Sequence, residues 1–208
     1  VTTAASINKE ASFTMLIKVL KIDLMVLVVI MLVRTRREII ALAWVMAISL
    51  GFYGVKGGLF TLASGGAYRV WGPSGSYIQE NNALAVALIV TIPLLRFLQT
   101  TLEKRWQRWA MTGTMLLCAV SVLGSHSRGA LLSIAAMATL LWWRGKNKLL
   151  TGGVLLLMVL MVLPMMPEHW WARMETIQTY QEDTSAMGRI GAWTMATNLA
   201  LDRPLGGG

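Results

Sequence analysis

Cysteine is almost absent from the sequence, because Cys118 is the only one among 208 residues and it lies inside an apolar run. A single thiol in such a run excludes a disulfide framework and a cysteine-based metal site. The sequence also lacks a glycine-rich phosphate loop, histidines and cysteines at metal-ligand spacing, and paired carboxylates within an apolar segment. We therefore predict neither a metal ion nor another cofactor.

Acidic residues are scarce as well, since 10 Asp and Glu stand against 19 Lys and Arg and leave a net charge of +9. The basic residues form short clusters between apolar segments rather than the continuous patch typical of nucleic-acid binding. Hydrophobic residues make up 55% of the chain, and the mean hydropathy is +0.58. This composition is typical of membrane proteins, so we predict membrane lipids and no nucleic acid as partners.

Long apolar segments divide the chain. A transmembrane helix needs roughly 20 mostly apolar residues, and six segments reach or approach this length: Phe13–Val33, Ile39–Val55, Ala83–Leu98, Trp109–Ser125, Ala130–Trp143 and Leu149–Met166. We predict an all-α fold, a polytopic transmembrane helix bundle of about six spans in a single membrane domain covering residues 1–208. Because the chain starts at Val1 and stops in glycines after Pro204, we expect it to be a fragment of a longer polytopic protein.

The distribution of basic residues predicts the orientation. Three short basic segments separate successive spans on one side, namely Arg34–Arg37, Lys104–Arg108 and Arg144–Lys148. Because basic loops resist translocation, these segments are predicted to be cytoplasmic. The opposite side carries a glycine-rich external segment, residues 56–82, which is either a structured, turn-filled loop or a re-entrant segment. It also carries the start of a large external loop, residues 168–208. Within this large loop, Ala186–Leu201 is predicted to form a short amphipathic helix.

Tryptophans and the two histidines flank the ends of the predicted spans. The tryptophans are interpreted as anchors in the headgroup layer: Trp106, Trp109, Trp142, Trp143, Trp170 and Trp171. His169, beside Trp170, is interpreted as part of the same belt. His126 is either a base or proton relay or a hydrogen-bonded bystander, and the second interpretation is favoured for a lone interfacial histidine.

Two external arginines are the main candidates for chemistry. Arg128 opens the fifth span after Ser125 and Ser127, and Arg189 follows Ser185 in the first turn of the predicted external helix. A helix N-terminus carries partial positive charge and disfavours a cation, so an arginine there indicates that an anion binds beside it. The arginine fork also suits phosphate oxygens. We therefore predict a diphosphate clamp formed by Arg128 and Arg189.

Simpler roles for both arginines remain open. Arg128 would contact lipid headgroups if its side chain only extends to the interface. Arg189 would form an ion pair if Asp183 or Glu182 lies beside it.

Several motifs resemble the exosortase-associated O-glycosylation ligases within the O-antigen ligase/polymerase superfamily. The N-terminal motifs are Gly54-Val55-Lys56-Gly57-Gly58, Tyr68-Arg69-Val70-Trp71-Gly72-Pro73 and Asn81-Asn82-Ala83-Leu84-Ala85. The later motifs are Ser125-His126-Ser127-Arg128-Gly129-Ala130-Leu131-Leu132, Gly188-Arg189 with Trp193, and Arg203-Pro204-Leu205-Gly206. The resemblance extends from about residue 50 to the end of the chain.

The resemblance implies an inverting glycosyltransferase of the bacterial inner membrane with several spans. Such an enzyme transfers a glycan from undecaprenyl diphosphate, at the periplasmic face, to a protein hydroxyl, lipid A core or a growing glycan. By this resemblance Arg128 and Arg189 hold the diphosphate without a metal, and Arg69, Asn82 and Ser127 are candidate substrate-lining residues. The catalytic residue is not identified, because the family's histidine is expected beyond Gly208, and the fragment alone is expected to be inactive.

Two other functions fit the same features. A transporter or flippase for a lipid-linked saccharide also needs several spans and outer-face arginines, although such proteins usually show repeated halves and broken helices. A non-catalytic membrane component of polysaccharide export would not depend on any single arginine.

Overall fold

The computed structural model describes residue 3 and residues 6–145, 147–175 and 184–203, without the side chains of Arg173, Thr184 and Ser185. All regular secondary structure in this part of the chain is helical, as predicted. The helices are α1 (Lys9–Leu32), α2 (Arg36–Ala63), α3 (Asn81–Gln99), α4 (Arg105–Gly124), α5 (Arg128–Arg144), α6 (Lys148–Val162), α7 (Glu168–Glu175) and α8 (Thr184–Asp202). A 3-10 turn, Leu163–Met165, continues α6.

Three helical segments of the described chain are long and apolar enough to cross a membrane: α2, α3 and residues 148–165. The other three predicted spans fall short for separate reasons. Helix α1 includes Lys18, Lys21 and Asp23, α4 starts with Arg105 and Arg108, and α5 has only 17 residues. The chain is therefore a helical membrane protein, and the number of six spans stays a prediction.

The chain divides into two compact units, residues 1–39 with 178–208 and residues 40–177. In the first unit, the Asn8 side chain caps α1 by accepting a hydrogen bond from the Ala11 amide at 3.1 Å. No residue of α1 is buried, and its exposed side chains are mostly apolar. Such a surface is typical of a helix that faces lipid.

The turn between α1 and α2 contains a capping box. The Glu38 carboxylate accepts hydrogen bonds from the backbone amides of Thr35 at 2.8 Å and Arg34 at 2.9 Å. In return, the Thr35 hydroxyl accepts one from the Glu38 amide at 3.3 Å. These bonds satisfy amides at the start of α2 that have no intrahelical partner, which explains a helix start inside a basic segment.

In the second unit, α2 is longer than its sequence predicts. Residues 56–63 were predicted to begin the glycine-rich external loop, but they are helical, so the loop is limited to residues 64–80. The reason is close packing against α4: a Cβ added at Gly58 would overlap the Leu117 carbonyl, and one at Gly54 would overlap the Cys118 sulfur. These glycines allow helix contact in the manner of a small-xxx-small motif and do not form a turn.

The same contact repeats toward the end of α4. A Cβ at Gly57 would overlap the Ser121 hydroxyl, and one at Gly124 would overlap the Thr61 side chain. Helix α3 completes the core with Leu84, Leu88 and other buried aliphatic side chains. The last turn of α2 and the last turn of α4 are therefore held side by side.

The loop of residues 64–80 has a defined conformation, as predicted for a turn-filled segment. Gly65 and Gly66 adopt φ values of 58° and 72° and end α2, and the Gly66 amide donates to the Thr61 carbonyl at 2.9 Å. Further along, the Gly72 amide donates to the Gln79 carbonyl at 2.9 Å. A Cβ at Gly72 would overlap the Ile78 carbonyl, so the close approach of these two parts of the loop requires glycine.

One predicted headgroup anchor is a core residue instead. Trp170 is only 1% exposed and packs with Val120, Leu123 and Met166. Its neighbour Trp171 is 42% exposed and keeps a surface position. The difference arises because α7 turns its Trp170 side toward the end of α4.

Helix α8, in the first unit, starts two residues before the predicted segment and ends one residue after it. Its described side chains are exposed or half-buried, and apolar ones such as Met187, Trp193 and Met195 point in several directions around the helix. The single apolar face expected of an amphipathic helix is therefore not distinct in α8.

Candidate functional site

The candidate site lies where Ser125, His126 and Ser127 join α4 to α5, a segment that we call the junction. All three residues are buried. The Ser125 hydroxyl donates to the Val122 carbonyl at 2.6 Å, and the Ser127 hydroxyl accepts from the Ala130 amide at 3.3 Å. Ser127 is thus the N-cap of α5, and Arg128 is the first residue of that helix.

Three separate segments hold the end of α4 that precedes the junction. The Val70 amide donates to the Gly124 carbonyl at 3.0 Å, and the Trp170 indole donates to the Leu123 carbonyl at 3.1 Å. The Asn81 side-chain amide donates to the Ser125 carbonyl at 2.8 Å. Carbonyls in the last turn of a helix have no intrahelical donor, so these contacts satisfy them and fix the junction.

His126 is the unusual residue of the junction. It adopts a φ of 54°, the only positive φ of a non-glycine residue in the described chain, and its side chain is 2% exposed. The Nε2 atom lies 3.0 Å from the Gly66 carbonyl. Because a carbonyl only accepts, Nε2 carries the proton of this hydrogen bond. The buried ring therefore ties the junction to the loop that follows α2.

The second histidine of the chain meets the first. The ring centroids of His126 and His169 are 5.5 Å apart with the planes inclined by 37°. His169 is exposed, on α7, one residue before the buried Trp170. This juxtaposition follows from the packing of α7 and has no signal in the sequence, where the two histidines lie in different predicted segments.

The structure places the predicted residues differently around the junction. Arg128 is half-buried at the first position of α5, as predicted, and Ser127 acts as the cap of that helix. Arg69 is exposed and directly precedes Val70, whose amide contacts α4. Asn82 is half-buried, whereas its neighbour Asn81 is the residue that reaches the junction.

Arg189 differs from its predicted position. Helix α8 starts at Thr184, so Arg189 lies in the second turn and not in the first, and its side chain is exposed. The electrostatic reason for an anion at a helix N-terminus therefore applies to Arg128 but much less to Arg189, since the effect fades within one turn. Glu182 and Asp183, considered as ion-pair partners, lie outside the described residues.

The convergence of Arg128 and Arg189 on one anion stays a prediction. The two residues belong to different compact units of the chain. Within the second unit alone, Arg128 combines a guanidinium with a position at the capped N-terminus of α5, a combination that suits phosphate oxygens. In the described residues, no group of three or more His, Cys, Asp or Glu side chains is placed to hold a metal ion.

Two family models match the chain. Residues 113–208 match the model described as O-antigen ligase, and residues 1–103 match a family of unknown function. The first match begins within α4 and includes the junction and the predicted residues Arg128 and Arg189. No curated protein and no solved structure matches the chain.

Proposed function

We propose that the chain is a membrane enzyme of the ligase type in polysaccharide biosynthesis, because residues 113–208 match the O-antigen ligase model. The donor is a glycan on undecaprenyl diphosphate. The acceptor is a hydroxyl of a protein, of lipid A core or of a glycan chain. Transfer takes place at the periplasmic face of the bacterial inner membrane, which the chain crosses several times.

The observation that best supports this proposal is the position of Arg128. It is the first residue of α5, directly after the Ser127 cap, on a junction that three other segments hold by hydrogen bonds. The guanidinium fork can contact two phosphate oxygens at once, and the N-terminus of the same helix favours an anion. Arg189 is proposed as the second cation of the clamp.

In the proposed reaction, an acceptor hydroxyl oxygen attacks the anomeric carbon of the glycan from the side opposite the diphosphate. The bond between this carbon and the diphosphate oxygen breaks, and undecaprenyl diphosphate leaves with the electron pair. The hydroxyl proton passes to a general base. Arg128 stabilises the negative charge that develops on the leaving group, so it lowers the barrier to transfer.

The orientation of the chain is proposed from its basic segments. We expect Arg34–Arg37, Lys104–Arg108 and Arg144–Lys148 to be cytoplasmic, and the loop of residues 64–80 to be periplasmic. Single cysteines at Thr35 and Ser74, both exposed, would test this with an impermeant thiol reagent in intact cells. The native Cys118 is buried and gives a low background. Labelling at position 74 alone is expected, and labelling at position 35 alone would invert the topology.

The function itself is tested with Arg128→Lys in cells that express the protein. Lysine keeps the charge and loses the planar fork, so transfer should fall while the protein still inserts. The glycan should then accumulate on undecaprenyl diphosphate in the outer leaflet. Arg144→Lys, at the opposite end of the same helix, is the matched control and should transfer normally.

The other two functions predict different results for the same variant. A flippase with a defective arginine would leave the lipid-linked glycan in the inner leaflet. A non-catalytic export component would tolerate Arg128→Lys with no accumulation in either leaflet. Either result would overturn the proposed transfer reaction.

A further inference from the structure

The contact between His126 and His169 brings a second polar side chain to the region of Arg128. The two rings have centroids 5.5 Å apart, and His126 is separated from Arg128 only by Ser127. The His126 imidazole is buried, and the His169 imidazole is exposed. An exposed donor group thus lies beside the junction on a helix distant in the sequence.

The position of His169 is fixed from two sides. On one side, His126 is held by its φ of 54° and by its hydrogen bond to the Gly66 carbonyl at 3.0 Å. On the other side, the next residue, Trp170, is buried and donates to the Leu123 carbonyl at 3.1 Å. Because its backbone is anchored and its ring meets another ring, His169 loses less entropy on binding a ligand than an unanchored surface side chain does.

From this arrangement we infer that His169 is a further residue of the donor site, where it donates a hydrogen bond to a diphosphate oxygen of the lipid-linked glycan. This inference rests on the proposed function, because it assumes that Arg128 marks the diphosphate. An imidazole carries at least one N–H in either protonation state, so it suits an anionic oxygen acceptor. His126 then packs against the His169 ring and orients it, and His126 does not itself contact the lipid-linked glycan.

Two substitutions separate the hydrogen-bonding role of His169 from the packing of its ring against His126. His169→Phe keeps a flat ring against His126 but removes both ring nitrogens. His169→Gln removes the ring but keeps an N–H donor. Because the side chain is exposed, neither substitution disturbs the buried cluster around Trp170.

The first measurement is binding of undecaprenyl diphosphate to the full protein in detergent micelles, which does not depend on transfer. A hydrogen bond to a charged group is worth about a tenfold change in affinity or more. His169→Phe should therefore raise Kd about tenfold, and His169→Gln should recover a part of this loss. Trp171→Phe, at the exposed neighbouring position of α7, should bind like the native protein.

The second measurement is steady-state transfer from the lipid-linked glycan. His169→Phe should raise KM for the donor by a similar factor with a smaller change in kcat, because the contact exists before the bond breaks. Arg128→Lys is measured in parallel.

The outcomes separate the two proposals. Native Kd and KM in His169→Phe, together with lost transfer in Arg128→Lys, would overturn the role of His169 and leave the proposed function. Native behaviour in both variants would overturn both. If His169→Phe is poorly inserted, His169→Gln is compared with His169→Ala instead. A Kd of His169→Gln nearer to the native value than the Kd of His169→Ala supports the hydrogen-bond donor role of His169. Equal Kd values for these two variants overturn it.

Discussion

The two arginines of the predicted clamp lie in very different surroundings. Arg128 is half-buried and follows the junction of three buried residues. Hydrogen bonds from α3, α7 and the loop of residues 64–80 hold this junction and the end of α4 that precedes it. Arg189 is exposed in the second turn of α8, a helix with mostly exposed side chains. The same residue type therefore follows a buried, hydrogen-bonded segment in one place and lies on an exposed helix surface in the other.

This difference predicts unequal effects of the same substitution. In steady-state transfer, Arg128→Lys should lower kcat about 10²- to 10³-fold, the usual effect of losing one preorganised donor to a developing anion. Arg189→Lys should lower kcat as well, but less, because an exposed side chain must be ordered before it contributes. Equal losses in the two variants would show that both arginines are equally preorganised in the active enzyme.

A second contrast concerns the glycines of α2 and of α8. Gly58→Ala would push a methyl group into the Leu117 carbonyl, and overpacking of this kind costs about 1–3 kcal/mol. Gly191→Ala in α8 meets no atom within 4 Å, so helix propensity should stabilise that helix by up to about 1 kcal/mol. Thermal unfolding of both variants in detergent measures the effects. A stabilised Gly58→Ala would contradict the close contact between α2 and α4.

A third and smaller contrast lies within one pair of neighbours. Asn81→Ala removes the hydrogen bond to the Ser125 carbonyl and should lower the free energy of unfolding by about 0.5–1.5 kcal/mol. Asn82→Ala, one position further along α3, is the matched control and should have less effect on stability. If Asn82→Ala is the more damaging for donor KM while stability is unchanged, its predicted role in lining the substrate gains support.

Much of the fold was predictable, because it depends on composition and local pattern. Long apolar segments predicted helices at the positions of α1 to α6, and Ser127 followed by Arg128 correctly predicted a helix start. The first error lies in α2, where Gly57 and Gly58 suggested a loop. Glycine signals a turn when only local conformation matters, but here it permits contact with Leu117 and Ser121, which are distant in the sequence.

The candidate site was predictable only in part. Arg128 could be selected because its place at a helix start is a local feature, and the resemblance to the ligase superfamily supports it. Trp170 was expected at the membrane surface, yet its indole donates to Leu123 in the core. His126 and His169 were interpreted separately, since nothing in their local sequences indicates that α7 returns to the end of α4.

By itself, the sequence determined that this is a helical membrane protein and where most of its helices lie, and its residues 113–208 match the O-antigen ligase model. Hydrophobic runs and helix caps decide these properties, and both act over a few neighbouring residues. Only the tertiary structure decided which polar groups meet at the junction: Asn81 rather than Asn82, Gly66 with His126, and His126 with His169. Those contacts depend on the side that each helix turns toward its neighbours, and this side is selected by packing of the whole unit.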